Sequence, residues 1–188
     1  SLVATSDYVL TVHPLLPAKT AKELLALAKA KPGELTYASS GLLGGPHLGG
    51  ELVNLLAKVN IVHIPYKGNG PAAIAIMTGE STLMFGSGPS VVPHVQSGKV
   101  RALGLSDRKR SSLLPDIPTI AETVPGYELF TWYGLFAPAK IPASVLKKVS
   151  TDIREILQET DVRQKLLGQG FDPVGNTPDD AAANPDLR

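Results

Sequence analysis

The 188-residue chain contains no cysteine, which excludes disulfides, zinc–thiolate and iron–sulfur sites and a cysteine nucleophile. Aromatic residues make up 5%, with a single Trp, too few for a platform that stacks nucleic-acid bases. Neither sign of charge dominates. Lys and Arg number 18 against 17 Asp and Glu, a formal net charge of +1, so the basic footprint of a nucleic-acid binder is missing and no such partner is expected. No stretch approaches the roughly 18–20 apolar residues of a membrane span. The opening residues, Ser1 to Asp7, include neither Met nor a basic stretch. This is expected of a processed chain or a piece of a longer one, not of an intact signal peptide. What remains is globular in character: 43% of residues are hydrophobic, and a chain of this length buries about 70% of its unfolded surface.

Strand-like and helix-like segments alternate along the chain. Tyr8 to Val12 reads as a buried strand stopped by Pro14 and Pro17. Thr20 and Glu23 form a capping box that opens a helix ended at Pro32-Gly33. Strands follow at Leu35–Ala38, Ile61–Ile64, Leu83–Phe85 and Val100–Leu105. Helices are expected at His47–Lys58, with Leu48, Leu52, Leu55 and Leu56 as the buried face, and at Ala72–Met77 and Pro89–Ser97. This alternation predicts an α/β domain with a largely parallel, doubly wound sheet, whose ligands sit beyond the carboxyl ends of the strands. After Ser106 the chain becomes charged and proline-rich. Trp132–Pro138 reads as a strand. Leu146, Val149, Ile153, Ile156 and Leu157 then mark an amphipathic helix that needs a surface to pack on. Thr160 starts another helix, Thr177-Pro178 a third, and Ala181 to Arg188 runs out without an apolar stripe.

Three strand-end turns can carry chemistry. Ser39, Ser40, Gly41, Leu43, Gly44 and His47 lie where a strand passes through a glycine-rich turn into a helix; amides and two hydroxyls there suit an anion. The turn lacks the Gly-Lys-Ser/Thr ending of a Walker loop and the Gly-x-Ser-x-Gly of a nucleophile elbow. Tyr66 and Lys67 occupy the second turn, and Gly86 and Ser87 the third, in each case alongside the alternative of a plain connection. His13, His47, His63 and His94 have no metal-ligand spacing, so neither metal nor organic cofactor is expected. No nucleophile, base and orienter are spaced for catalysis, so the chain is not expected to be an enzyme. The residues describe a cleft for a small anion.

The same segments resemble the Bug family, the periplasmic solute-binding proteins of tripartite tricarboxylate transporters. The resemblance rests on Tyr37-Ala38-Ser39-Ser40-Gly41, His47-Leu48 with Gly50-Glu51-Leu52, and His63 to Gly68. It continues through Leu83-Met84-Phe85, Gly98 to Leu103, Leu114 to Thr119, Pro125 to Glu128 and Gly134 to Pro138, and covers nearly the whole chain, to about Asp180. It implies the type II periplasmic-binding-protein architecture, one complete doubly wound lobe plus C-terminal helices of a second, truncated lobe. Residues 1–120 would be lobe two with a first hinge strand, 121–138 a return linker and second hinge strand, and 139–188 helices belonging to lobe one. About 100 preceding residues, the size of a small domain, would be missing. The implied function is capture of a carboxylate in the periplasm and its delivery to membrane permease subunits. A ligand-sensing effector domain of a regulatory protein is the alternative. A homodimer through the exposed C-terminal helices is a further expectation. The chain departs from the family pattern at Leu42 and Leu43, where a Thr and a flexible Gly are usual, and at Gly86, where a polar residue is usual. These changes imply a more apolar or bulkier acid.

Overall fold

The computed structural model describes residues 1–111 and 114–184. The last four residues of the segment read as running out, 185–188, lie outside the described range. The elements, in order, are β1 (Leu2–Val12), α1 (Ala21–Ala30), β2 (Thr36–Ser39), α2 (Gly45–Ala57), β3 (Val62–Pro65), α3 (Asn69–Met77), β4 (Leu83–Ser87), α4 (Gly88–Gln96) and β5 (Arg101–Leu105). A 3₁₀ turn at Ile120–Glu122 precedes β6 (Phe130–Gly134), α5 (Ala143–Gln158), α6 (Thr160–Gly168), β7 (Asp172–Pro173) and α7 (Pro178–Ala183). The architecture is α/β, as expected, and contacts divide it into two compact units.

The larger unit spans Asp7–Thr131. Its strands run β3-β2-β4-β1-β5. β2 is parallel to β3 and β4, and β1 is antiparallel to both β4 and β5. One reversed strand therefore lies inside an otherwise parallel set. Two apolar clusters fill the unit. Leu10, Leu24, Tyr37, Val53, Leu83, Phe85, Leu103 and Tyr127 belong to one, and Val9, Ala73, Ile76, Met84, Val91 and Leu105 to the other. At α1 the Thr20 hydroxyl accepts from the Glu23 amide at 3.1 Å, and the Glu23 carboxylate reaches the Lys19 amide at 2.6 Å.

Helix α2 corrects one expectation. Its buried face is Pro46, Gly49, Gly50 and Val53, while Leu48, Leu55 and Leu56 are exposed, Leu55 by 73%. The cause is close approach. A Cβ on Gly50 would stand 2.3 Å from the Tyr37 ring, and one on Gly49 3.2 Å from Phe85 Cγ. At Gly50 the helix lies so near the sheet that only hydrogen fits, and Leu48, Leu55 and Leu56 are turned outward, while Leu52 packs against the core as expected.

The smaller unit comprises Ser1–Ser6 and Trp132–Arg188. Within it the Ser6 hydroxyl donates to the Gly170 carbonyl at 2.7 Å, and the Leu2 amide donates to Asn176 Oδ1 at 2.7 Å. Of the apolar stripe on α5, Leu157 is buried, whereas Leu146, Val149 and Ile156 remain exposed by 38–48%. Among the described residues no helix is long and apolar enough to cross a membrane.

Candidate functional site

Because β2, β3 and β4 are parallel, their carboxyl ends share one edge of the sheet in the larger unit, and each leads directly into a helix. Helices α2, α3 and α4 start after Gly44, Gly68 and Ser87, none with a side-chain cap and none with an acidic residue in its first turn. Helices α1 and α7 are capped by Thr20 and Thr177, whereas α5 and α6 also lack side-chain caps, so the three starts at this edge are set apart by their convergence. Uncapped first-turn amides, with the positive ends of three dipoles behind them and no carboxylate competing for them, favour an anion.

The first turn is held from below by Ser39, whose side chain is fully buried. Its Oγ lies 3.1 Å from the Gly41 amide, 3.0 Å from the Gly41 carbonyl and 2.6 Å from His63 Nε2. One hydroxyl proton satisfies all three bonds only if it goes to the carbonyl and His63 donates from Nε2, which assigns that tautomer. Ser39 thus anchors the turn. Ser40 is half-buried, and its hydroxyl makes no hydrogen bond among the described residues. Gly41, with φ +134°, adopts a conformation that glycine tolerates best. Leu43 holds a left-handed φ of 61°, and its amide donates to His47 Nδ1 at 3.0 Å. Leu42 and Leu43 are exposed by 72% and 78%. The His47 ring stacks on His63 with centroids 4.1 Å apart, and His63 in turn stacks on Tyr37 at 4.8 Å. Tyr37 donates to Glu51 Oε1 at 2.6 Å, and burial together with this carboxylate pushes its phenol pKa far up.

The other turns contribute less evenly. The Tyr66 hydroxyl donates to Glu80 at 3.0 Å; burial, and after it this bond, raises its pKa, and Lys67 is exposed. Asn69, at the first position of α3, donates through Nδ2 to Ser87 Oγ at 3.3 Å and so joins the second turn to the third. Its Oδ1 is buried without a partner. Ser87 Oγ is also 3.1 Å from Ser90 Oγ. A Cβ on Gly86 would sit 2.2 Å from Val91 Cγ1, so that glycine serves packing. Sequence reasoning missed three residues here: His63, Asn69 and Tyr8. The Tyr8 hydroxyl would be 2.0 Å from a Cβ at Gly45, so its ring covers the start of α2. The β2–β3 register sets Tyr37 beside His63 and so places the stack, a pairing that no sequence signal announces. Among the described residues no group of three His, Asp or Glu side chains is placed to hold a metal ion.

Burial, and secondarily His47, hold the His63 pKa below its ordinary 6.5, with Glu51 acting in the opposite direction. The unfolded chain therefore binds this proton more readily than the folded one. Its penalty is absent above about pH 6.5 and grows as pH falls from there towards the lowered folded value. The melting temperature should rise between pH 5 and pH 7. His63→Gln, which keeps a donor at the Nε2 position without titrating, should flatten that rise in calorimetric scans. An unchanged slope in the variant would remove His63 as its source.

The model of the tripartite tricarboxylate transporter family receptor matches residues 1–183. The chain is 35% identical over 182 residues to the protein BugT of Bordetella pertussis, covering 95% of this chain and 55% of that relative. Its structure is similar to that of R. palustris Rpa4515 with adipate, with a TM-score of 0.91 and 31% identity over 97% of this chain and 61% of that one. It also resembles MatC from Rhodopseudomonas palustris with bound malate, with a TM-score of 0.82 and 26% identity over 99% of this chain and 63% of that one. The chain thus spans a little over half the length of BugT and about three fifths of the two solved proteins. On the matching family model, the shared sequence and the shared fold, the chain belongs to the tripartite tricarboxylate transporter receptor family.

Proposed function

We propose that this chain is the carboxylate-capturing part of a periplasmic solute-binding protein that delivers a small organic acid to the permease subunits of a tripartite tricarboxylate-type transporter. The observation that carries the reading is the convergence of three helix starts at one sheet edge, all without side-chain caps and all without first-turn acids. Relatives solved with adipate and with malate are consistent with a carboxylate as the anion.

In this reading Ser40 and the amides of Leu42, Gly44, Gly45 and His47 take one carboxylate, while the Gly41 and Leu43 amides stay with Ser39 and His47 and fix the turn; Gly86 and Ser87 close the far side. Tyr66 and Lys67 flank the approach. Leu42 and Leu43 are open to solvent beside the polar turn and supply an apolar wall for the remainder of the acid. The chain binds and releases without turnover: the hydroxyl nearest a histidine, that of Ser39, is buried and already committed to the turn.

Isothermal calorimetry with adipate, malate and benzoate tests the proposal. At least one should bind, and the longer or aromatic acids should bind better than malate. Removing one donor to a charged group by Ser40→Ala should weaken the best binder by about tenfold, the equivalent of roughly 1.5 kcal/mol. Absence of binding by all three acids, or equal affinity in the variant, would defeat the assignment.

A further inference from the structure

The two stacked histidines beneath the first turn are not equivalent, and the difference lies in their hydrogen bonds. His63 donates from Nε2 to Ser39, so adding a proton at its other nitrogen breaks nothing there. His47 accepts the Leu43 amide at Nδ1, and a proton at that atom removes the only lone pair available for the bond. We propose that His47 is a proton-sensitive latch on the candidate ligand turn: neutral, it holds the Leu43 amide and with it residues 40–44; protonated at Nδ1, it lets them go. The consequence for capture rests on the carboxylate reading, but the latch itself does not.

The turn needs holding. Leu43 is a non-glycine residue at φ 61°, a conformation kept only where the surroundings impose it. Its side chain is 78% exposed, so packing does not impose it and the amide bond to His47 does. The imidazole is a fixed post, stacked on His63 with 24° between the ring planes. The groups facing the stack come from every strand that α2 packs on. β2 supplies Tyr37, tied to Glu51 on α2 itself. β3 supplies His63. β4 supplies no ionisable residue. Tyr8 of β1 stands against Gly45, and Tyr127 donates to the Gly49 carbonyl at 3.4 Å. Burial and the neighbouring ring disfavour the charged form of His63. Acidification should therefore disorder the turn, so that an anion must pay to reorder it. A histidine acting only as a cation would do the opposite and strengthen anion binding as it charged, which makes the sign of the pH effect decisive.

The test is NMR on the full chain, with adipate as the probe ligand. At pH 8 the His47 Nδ1 nitrogen should carry the shift of an unprotonated acceptor, and the Leu43 amide should be protected. Through the His47 titration, Leu43 protection should fall by about tenfold and adipate affinity by about three- to tenfold, the worth of one hydrogen bond. His47→Asn, which leaves an acceptor at the Nδ1 position, should hold both quantities flat across pH. His47→Ala should lose protection at every pH. The latch is overturned if Leu43 protection ignores the parent's own His47 titration. It is equally overturned if adipate binds more tightly on acidification. If Leu43 follows His47 while adipate binds at no pH, the latch stands and the adipate assignment falls.

Discussion

Gly50→Ala is expected to lower the melting temperature by about 4–12 °C, although alanine is the better helix former. The gain in helix propensity is at most about 1 kcal/mol. Against it stands a methyl group 2.3, 2.4 and 2.7 Å from three atoms of the Tyr37 ring. That ring cannot step aside. It is fully buried, its hydroxyl donates to Glu51 and approaches the His47 carbonyl at 3.3 Å, and its face lies on His63. Overpacking costs about 1–3 kcal/mol, and about 3–4 kcal/mol where the neighbours are pinned as here, so a net loss of about 2–3 kcal/mol is expected. Thermal unfolding followed by circular dichroism checks it. Tyr37→Leu in the Gly50→Ala background should recover part of the loss through coupling between the two positions. A single variant melting at or above the parent would show that α2 can shift away from the sheet.

Ser39→Ala should cost about 2–4 kcal/mol of stability, whereas Ser40→Ala should cost under about 0.5 kcal/mol. The two serines are adjacent and chemically identical; position separates them. Removing the Ser39 hydroxyl strips an acceptor from the Gly41 amide and from His63 Nε2 together, at a site with no solvent access to replace it. Chemical denaturation reads the stability difference. Carboxylate affinity should fall in both variants, in Ser39→Ala through loss of the turn and in Ser40→Ala through loss of a donor. Equal denaturation midpoints for the two would mean that Ser39 is not the anchor.

Glycine and proline punctuation made the element order readable. The strands read as ending at Ala38, Ile64 and Phe85 run one or two residues further, to Ser39, Pro65 and Ser87, and the helices read from His47, Ala72 and Pro89 begin one to three residues earlier. Direction was not readable: nothing in a short apolar run such as Leu10–Val12 reveals that β1 lies antiparallel between β4 and β5. The first half of β1 was also lost, because Leu2, Ala4 and Ser6 alternate in burial with small, weakly apolar side chains that leave little hydropathy signal. β7, two residues long, pairs with that half and has no signal of its own. On α2 the leucines looked like the buried stripe, and the glycines that do face the sheet look in sequence like helix breakers. In the site, the serine and glycine content of the turn was legible, but its support was not. His63 and Tyr8 are distant in sequence and meet the turn only through strand register and the placement of β1.

Gly86, next to last in β4, has no side chain, and a Cβ there would lie 2.2 Å from Val91 Cγ1. The two positions are therefore not independently variable. A side chain introduced at 86 alone collides with the buried Val91. Val91→Ala alone leaves a cavity in the core and changes nothing at the edge. Each single step is expected to lower stability. Change at this position is thus an evolutionary valley, crossed by an ordered or simultaneous double change, while the solvent-facing Leu42 can drift one substitution at a time.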